Sequence, residues 1–456
     1  MTDKRRTLIF INILIVSIAS SFLSTALSTA LAPIIVEFGL DTDKGQWINS
    51  SYSLVMGKIM TLSAFLITRF NTKRLYVSSL AIMIIGLVSS SFATSFPSMM
   101  VGRLLQAISS SINTAMAQVV LLTIYPVEKR GSIMGWYGLS LSAAPIVAPT
   151  IGGLFVDTVG WRMVFVVTTI FMAVALVSSL FCFEDVMENR KDKFDISSFV
   201  LSVLAFGGIS LALGNAGRMN YLFFVSLVLG ISSGVLFVRR QNALTTPFLD
   251  VSVLKNRNFA ISVASSCMLY MCMMGNSIII PLFLQNTLGS SVTVSGLVTL
   301  PGSLVLTILN PFTGKLYDKY GMRRPAIVGA LCVIVSYLGM SMVKMDTSYY
   351  YVALMHSAKC MGIAIMMMGF LSWGISSVEK EKTAHANALF NSLRMLSGGM
   401  GQVLFVSMIS GVSSRIQGKE GGVFGVRIAF SSMVIVSMIQ LLISFVFIKK
   451  TNLEDD

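Results

Sequence analysis

The sequence between Thr7 and Ile35 reads TLIFINILIVSIASSFLSTALSTALAPII and contains no charged side chain. A helix needs about 20 apolar residues to cross the hydrocarbon core of a bilayer, so this stretch is long enough to span one. It follows a basic start, Met1 to Arg6. A signal peptide would have a shorter apolar core and a cleavage site of small residues. We therefore expect the stretch to be a retained first transmembrane helix.

The composition of the whole chain also favours a membrane protein. Of its 456 residues, 54% are hydrophobic and 12% are charged, and the mean hydropathy is +0.79. A soluble domain carries about 25% charged residues, because its surface faces water. With half that fraction the chain has too little polar surface to coat its fold, so we expect lipid rather than water around it.

Apolar stretches long enough to span a bilayer recur along the chain and indicate fourteen transmembrane helices. The segments between them alternate in charge. Those expected inside the cell hold 23 of the 34 Lys and Arg residues, and those expected outside hold 7. Because Lys and Arg are enriched in cytoplasmic loops, this asymmetry predicts a multi-pass protein of the cell membrane with both termini in the cytoplasm.

The net charge of +14 is explained by this loop pattern and gives little support to nucleic-acid binding. The five cysteines are an odd number without C-x-x-C spacing, which indicates neither a metal site nor a disulfide framework. There is no P-loop, no cluster of metal-ligating residues and no evident catalytic set. We therefore expect no enzymatic activity, no cofactor, no metal and no nucleic-acid partner.

Two loops are alike and indicate an internal repeat. AFLITRFNTKRL, residues 64–75, follows the second apolar segment, and GKLYDKYGMRRP, residues 314–325, follows the tenth. Their separation of 250 residues fits two six-helix halves with two inserted helices between them, and parallel repeats are one architecture of secondary transporters. The predicted fold is all-α, with an N-terminal half at 1–190, an insert at 191–245 and a C-terminal half at 246–456.

The second of these loops resembles the G-x-L-x-D-x-x-G-x-R-R motif of the major facilitator superfamily. The matching residues are Gly314, Leu316, Asp318, Gly321, Arg323 and Arg324. Arg103 and Gln106, in GRLLQAISSS, are similar to the R-x-x-Q-G motif of the same family. The stretch APIVAPTIGG looks like the antiporter motif, through Pro145, Pro149, Gly152 and Gly153.

Two further stretches, GWRMVF at 160–165 and NSLRMLSGGMG at 391–401, resemble the fourteen-helix drug:proton antiporter branch of that family. The resemblance covers essentially the whole chain. It implies a major facilitator fold and multidrug efflux by an antiporter that uses a proton or sodium gradient.

The first helix departs from that branch, which usually carries L-D-x-T-I-V-N-V-A-L-P with an aspartate implicated in proton coupling. Here the residues before Pro33 read LSTALSTALA, so Ser24 takes the place of the aspartate and Thr29 that of the asparagine. The predicted helix interiors contain no Asp or Glu. A carboxylate within the membrane commonly carries the proton relay of pumps and transporters, and the predicted helix interiors of this chain contain no residue for that role.

The predicted helix interiors instead contain four cations, Lys58, Arg103, Lys359 and Arg394. A charged residue within the membrane usually faces the bundle interior or a water-filled cavity. We expect Arg103 and Arg394 to bond backbone carbonyls together with Asn113 or Gln402. We expect Lys58 to act on substrate or coupling ion, in place of the missing aspartate.

Polarizable and aromatic residues are candidates for lining a large, adaptable pocket. They are Tyr52, Tyr270, Asn276, Trp373 and Met366–Met368. The alternative interpretation of each is ordinary packing of helix against helix.

The Pro and Gly residues of the 144–153 stretch weaken the helix and allow close helix approach, which suits gating. Ordinary tight packing is the alternative for Gly152 and Gly153. In the 314–325 loop, Asp318 beside Arg323 and Arg324 could form a latch that breaks during transport. The alternative there is a solvated loop whose exposed ion pairs contribute roughly 0–1 kcal/mol.

Three functions remain open from the sequence. The first is ion-gradient-driven export of amphipathic organic compounds or drugs by alternating access. The second is selective export of an anionic metabolite, nucleotide-like signal or lipid, suggested by the four cations. The third is a sensor or assembly partner that keeps the fold without transport. We expect a small-molecule substrate, a lipid bilayer around the chain and a monomer, since such a pathway needs no second chain.

Overall fold

A computed structural model describes residues 3–186, 195–215, 220–244, 251–379, 382–413, 416 and 419–448. Helices account for most of these residues, because lipid cannot hydrogen-bond an open backbone. They are α1 Asp3–Glu37, α2 Thr42–Gly45, α3 Trp47–Arg69, α4 Thr72–Ser91, α5 Phe96–Ile124, α6 Val127–Thr158, α7 Arg162–Cys182, α8 Ile196–Gly214, α9 Tyr221–Ala243, α10 Arg257–Leu282, α11 Val292–Tyr320, α12 Arg323–Met340, α13 Tyr349–Ser376, α14 Thr383–Ser413 and α15 Lys419–Val446. A π-helical turn, Phe283–Thr287, extends α10 after Pro281.

Twelve helices in the described part of the chain are long and apolar enough to cross a membrane. The helices α3 and α6 are not among these twelve, although both pack closely with them: α3 lies against α5 and α14, and α6 lies against α1 and α11. The multi-helix membrane fold is therefore established. The count of fourteen spans and the cytoplasmic position of the termini remain predictions.

The buried apolar side chains form two main clusters. One consists almost entirely of residues from Ile9 to Phe183, and the other runs from Val253 to Ile448. We refer to α1–α7 as the N-terminal group and to α10–α15 as the C-terminal group. The predicted boundaries, at 190/191 and 245/246, lie outside the described residues.

The helices α8 and α9 form a separate pair. They pack mainly against each other, and α8 also contacts α14 and α3. Close packing within the pair depends on glycine, since a Cβ atom at Gly208 would lie 2.8 Å from the backbone of Gly230. The pair therefore lies against one helix from each group, and much of α9 is left exposed.

The two groups contact each other through α6 and α11, through α3 and α14, and through α1 and α10. The contacts of α6 with α11 lie toward the end of the bundle opposite the N-terminus. There a Cβ atom at Gly153 would lie 2.7 Å from the carbonyl oxygen of Val292, and one at Gly296 would lie 2.3 Å from that of Pro149. Glycine thus lets the two backbones approach more closely than any other residue would allow.

Candidate functional site

A cavity of about 440 Å³ lies between the two groups of helices. Its wall is built from α1, α3, α5 and α6 on one side and from α10, α11, α13 and α14 on the other. Six of the eight predicted substrate or coupling residues line it. They are Ser24, Thr29, Tyr52, Arg103, Lys359 and Arg394.

The α1 side of the cavity is a wall of hydroxyl groups. The lining residues Ser17, Ser20, Ser21, Ser24, Thr25, Ser28 and Thr29 recur at intervals that place most of them on one helix face. Thr25 donates its hydroxyl proton to the carbonyl oxygen of Ser21 at 2.9 Å, and Ser28 donates to that of Ser24 at 3.3 Å. Because hydroxyl groups do not ionise near neutral pH, this side of the cavity is polar and carries no charge.

Arg103 lies in α5 and is buried, with 1% of its surface exposed. Its Nε donates to the carbonyl oxygen of Ile48 at 3.0 Å, and its Nη1 donates to Oε1 of Gln106 at 2.7 Å. Its guanidinium lies 4.3 Å from the ring centroid of Tyr52. Gln106 in turn donates to the carbonyl oxygen of Gly86 at 2.9 Å. Arg103 therefore ties α3, α4 and α5 together through a hydrogen-bonded network.

The expectation of carbonyl partners for Arg103 is thus met, whereas the expected side-chain partner is wrong. Gln106, one helical turn away, replaces Asn113. Asn113 donates instead to Ser109 at 3.2 Å, and Gln402 accepts from Ser53 at 3.4 Å. Residues three apart on a helix lie on the same face, so the R-x-x-Q spacing could have predicted the contact between Arg103 and Gln106.

Arg394 lies in α14 and has fewer bonds. Its Nη2 donates to Oδ1 of Asn391 at 2.9 Å, and its guanidinium lies 5.3 Å from the ring centroid of Tyr270. Its buried Nε has no hydrogen-bond partner among the residues that the structure describes. Arg394 therefore has donor capacity that the protein itself leaves unused.

Lys359 lies in α13 beside His356. Its Nζ is 3.4 Å from Nδ1 of His356, and the exposed fractions of the two residues are 4% and 8%. Both line the cavity, as does Cys360. A Cβ atom at position 302 would lie 2.2 Å from the His356 ring, so Gly302 in α11 makes room for the imidazole. The three-residue spacing of His356 and Lys359 was the signal for this pair.

Lys58 lies outside the cavity lining and faces the helix pair α8–α9. Its Nζ contacts the hydroxyl of Ser202. The same atom is 5.6 Å from the ring centroids of Phe199 and Phe237 and 5.7 Å from that of Phe206. Its depth in the membrane was predicted from sequence, but its direction was not.

Asn276 is also absent from the cavity lining. It is 1% exposed, and its Nδ2 has no hydrogen-bond partner within the described part of the chain. The predicted methionines 366–368 do not line the cavity either, and Met366 is packed against Gly329. Other methionines supply the soft wall, namely Met56, Met60, Met273, Met274 and Met395.

Two of the predicted gating residues of α6 lie at the contact between the two groups, and a third packs within the N-terminal group. Pro149 and Gly153 meet α11 there, and a Cβ atom at Gly152 would lie 2.6 Å from the Ala26 side chain of α1. Pro145 lies in α6, but its side chain is outside the described residues. Gly152 and Gly153 thus lie at close contacts between helices. Such packing is expected for a gating role and for a static interface alike.

A carboxylate adds to the contact between α6 and α11. Asp157 accepts hydrogen bonds from the backbone of Val292 at 3.2 Å, from the backbone of Thr293 at 2.7 Å and from the Thr293 hydroxyl at 2.6 Å. It thereby satisfies free N–H groups at the start of α11.

The residues of the second repeated loop lie at the α11–α12 junction. Gly314 and Asp318 belong to α11, and the side chain of Asp318 is outside the described residues. Gly321 adopts a φ of 66°, which lets the chain turn after α11. Arg323 donates to the carbonyl oxygen of Phe445 at 3.1 Å, and Arg324 is exposed. The predicted latch of Asp318 with these arginines stays a prediction.

Comparison with known proteins places this architecture in a family. The model of the Major Facilitator Superfamily matches residues 13–402. The uncharacterized MFS-type transporter YcnB of Bacillus subtilis (strain 168) is 30% identical over 427 residues, covering 92% of this chain and 90% of that protein. The lincomycin resistance protein LmrB of Listeria monocytogenes is 30% identical over 444 residues, covering 94% of each.

Solved structures share the fold at low sequence identity. A crystal structure of a peptide transporter POT in complex with sulfate has a TM-score of 0.72 at 13% identity, covering 95% of this chain and 94% of that one. A bacterial homolog of the human lysosomal transporter Spinster, in an inward-facing and unoccupied conformation, has a TM-score of 0.70 at 15% identity, covering 98% and 97%. The chain belongs to the major facilitator superfamily, and it is a membrane transporter rather than an enzyme.

Proposed function

We propose that this transporter exports amphipathic organic compounds from the cell by alternating access, at the expense of the electrochemical gradient across the membrane. The observation that carries the proposal is the cavity between the two groups of helices. Its volume of about 440 Å³ suits an organic molecule, and its wall combines hydroxyl groups, tyrosines and five methionines. Flexible, polarizable side chains of this kind can repack around ligands of different shape.

Relatives support export over import. Proteins similar to this chain include lincomycin resistance proteins at 29–30% identity and multidrug resistance or export proteins at 24% identity. The two groups touch near the end opposite the N-terminus, through Asp157 and the glycines of α6 and α11. Closure at that end would leave the cavity to be filled from the side of the termini, which the loop charges predict to be the cytoplasm.

The experiment is transport by purified protein in proteoliposomes, with probes of different charge under imposed pH and sodium gradients. We expect at least one amphipathic probe to accumulate in protein-containing vesicles beyond its level in protein-free vesicles. Absence of accumulation for every probe under every gradient would favour a sensor or assembly partner with the same fold. A matched control is Gly296→Leu, whose side chain would collide with the backbone of Pro149 and prevent α11 from closing against α6.

A second candidate function is favoured by the charges in the cavity wall. Arg103, Lys359 and Arg394 line it, and no Asp or Glu does so among the residues that the structure describes. Such a wall would attract negative charge and repel the lipophilic cations that many drug exporters carry. The candidate is export of an anionic compound. In the same vesicles, it predicts that anionic probes move and that cationic probes of similar size do not.

A further inference from the structure

The three cations of the cavity are not equivalent. Arg103 is already held by Ile48, by Gln106 and by the ring of Tyr52. In contrast, Arg394 makes one side-chain hydrogen bond, from Nη2 to Asn391, so more of its guanidinium donors are without a partner in the described part of the protein. The free capacity to bind an acid group is therefore in the C-terminal group.

Lys359 adds a second cation from the same group of helices. Its Nζ lies 3.4 Å from Nδ1 of His356. Both residues line the same cavity as Arg394. An ammonium has three donors and a guanidinium has five, so donors remain for a ligand on both side chains. Hydrogen bonds from such cations to carboxylate, sulfonate or phosphate oxygens are the strong, charge-assisted kind.

The acids of the chain lie elsewhere. Every Asp and Glu that the structure places in a helix lies within three residues of a helix end. Around the cavity, the position that a carboxylate could occupy on α1 carries the Ser and Thr hydroxyls instead. The described wall therefore offers no carboxylate to exchange a proton or sodium ion against the substrate.

An anion needs no such exchange in order to leave the cell. The membrane potential is negative inside, so outward movement of one negative charge is favoured by about 2.3 kcal/mol, a concentration ratio of about 50, per 100 mV. The membrane potential alone can therefore drive net export. A neutral compound gains nothing from the potential, and a cation would be held back by it.

We propose that the substrate is an organic anion whose negative charge is attracted by Arg394 and Lys359 in the cavity wall, and that the membrane potential drives its export without exchange for protons or sodium. This proposal rests on the proposed function and specifies its substrate class and its energy source. The other titratable groups at the cavity are His356, Cys360, Tyr52 and Tyr270. Proton exchange through any of them would make transport depend on a pH gradient, which the test measures.

The test uses the full chain in proteoliposomes with equal pH on both sides, no sodium and a potential set by potassium and valinomycin. The probes are naphthalene-1-sulfonate, which is monovalent and cannot carry a proton, 1-naphthyl phosphate, and the cation ethidium. We expect one or both anions to enter vesicles held positive inside, with no change when a pH or sodium gradient is added. Since an electrogenic carrier runs in either direction, mixed protein orientation does not obscure this result.

Variants locate the binding groups. Arg394→Gln and Lys359→Gln are expected to raise the anion concentration for half-maximal uptake by about 10- to 100-fold, as loss of a charge-assisted hydrogen bond would. Arg394→Lys and Lys359→Arg keep the charge and should restore part of the uptake, which separates binding from misfolding. Lys58→Gln is the matched control, because it removes a membrane cation that lies outside the cavity lining.

Each contrary result has a distinct meaning. Anion uptake that requires a pH or sodium gradient would overturn the potential-driven mechanism and leave the exporter in place. Uptake of ethidium without uptake of the anions would overturn the anionic substrate class. Equal uptake by the Arg394→Gln, Lys359→Gln and Lys58→Gln variants would overturn the assigned binding groups. If no probe moves under any gradient, the proposed function fails as well.

Discussion

The guanidinium of Arg103 donates to the carbonyl oxygen of Ile48 and to Gln106, and both acceptors are buried. Its removal would leave the buried Oε1 of Gln106 without this donor and would take one hydrogen bond from the Ile48 carbonyl. We therefore expect Arg103→Ala to lower the free energy of unfolding by about 2–4 kcal/mol. Thermal unfolding of the purified protein in detergent measures this loss.

Exposed Arg324 provides the comparison for that measurement, because its replacement by alanine should change stability by less than about 0.5 kcal/mol. An equal effect of the two substitutions would contradict a structural role for Arg103. Arg103→Lys keeps the charge but loses the planar fork of donors, so an intermediate stability is expected.

Lys58 and Lys359 show what a sequence can and cannot predict at the scale of one residue. Both lie deep in long helices, and both were candidates for the transport site. The structure turns Lys359 toward the cavity and Lys58 toward three phenylalanines of α8 and α9. Depth follows from counting residues along a helix, whereas direction depends on which helices pack beside it, and that is a property of the tertiary fold.

At the scale of helices, the position of Lys58 predicts that it holds the α8–α9 pair against α3. A cation near an aromatic ring contributes about 0.5–2 kcal/mol, more where water is excluded. Lys58→Ala should therefore lower the melting temperature of the protein, while the substrate concentration for half-maximal transport stays unchanged. Full loss of transport with normal stability would instead support the coupling role that the sequence analysis assigned to this lysine.

The base of the α8–α9 pair is joined by an ion pair outside the membrane. Arg240 donates to both carboxylate oxygens of Asp195, at 2.9 and 3.0 Å, and Asp195 also accepts from the backbone of Ser198 at the start of α8. The Arg240 hydrogen bond is the main reason that the pKa of Asp195 is lowered from 3.8 to about 2. A carboxyl group with a lowered pKa in the folded state stabilises the fold when it is ionised.

This pair predicts a dependence of stability on pH. The stabilisation should be complete above about pH 4 and should be lost as the pH falls from there toward 2, where the folded protein also protonates Asp195. The measurement compares melting temperatures of the wild type and Asp195→Asn across this range. Their difference should shrink toward zero at the acid end, and a difference that stays constant would contradict the role of the ion pair.

The helices themselves were largely predictable, since apolar stretches in a membrane have no stable alternative to helix. The single turn α2 and the π-helical turn after Pro281 could not be predicted in this way, because neither shows a distinct periodic pattern of apolar residues. The π-helical turn matters for the cavity, as Gln285 within it donates to the carbonyl oxygen of Thr29 in α1 at 2.9 Å. Contacts of this kind join segments 256 residues apart, and no local pattern encodes them.

At the scale of the whole molecule, the proposed alternating access requires α6 and α11 to separate at the end where Asp157 bonds the start of α11. A covalent bond there should hold the transporter in one state. We expect the double variant Asp157→Cys with Thr293→Cys to lose transport by more than about tenfold after oxidation and to recover it with a reductant. The five native cysteines are replaced by serine in the parent protein, so that the new pair is the one that reacts.

A cross-link that does not join the two groups is the control for this experiment. Arg5, in α1, and Glu184, just after α7, form an ion pair. This pair lies within the N-terminal group, which moves as one body in the proposed mechanism. Arg5→Cys with Glu184→Cys should therefore leave transport unchanged after oxidation, while fixing just as many residues. If both cross-links abolish transport, the loss comes from general rigidity. If neither does, α6 and α11 do not separate during transport, and the Asp157 contact belongs to a static interface.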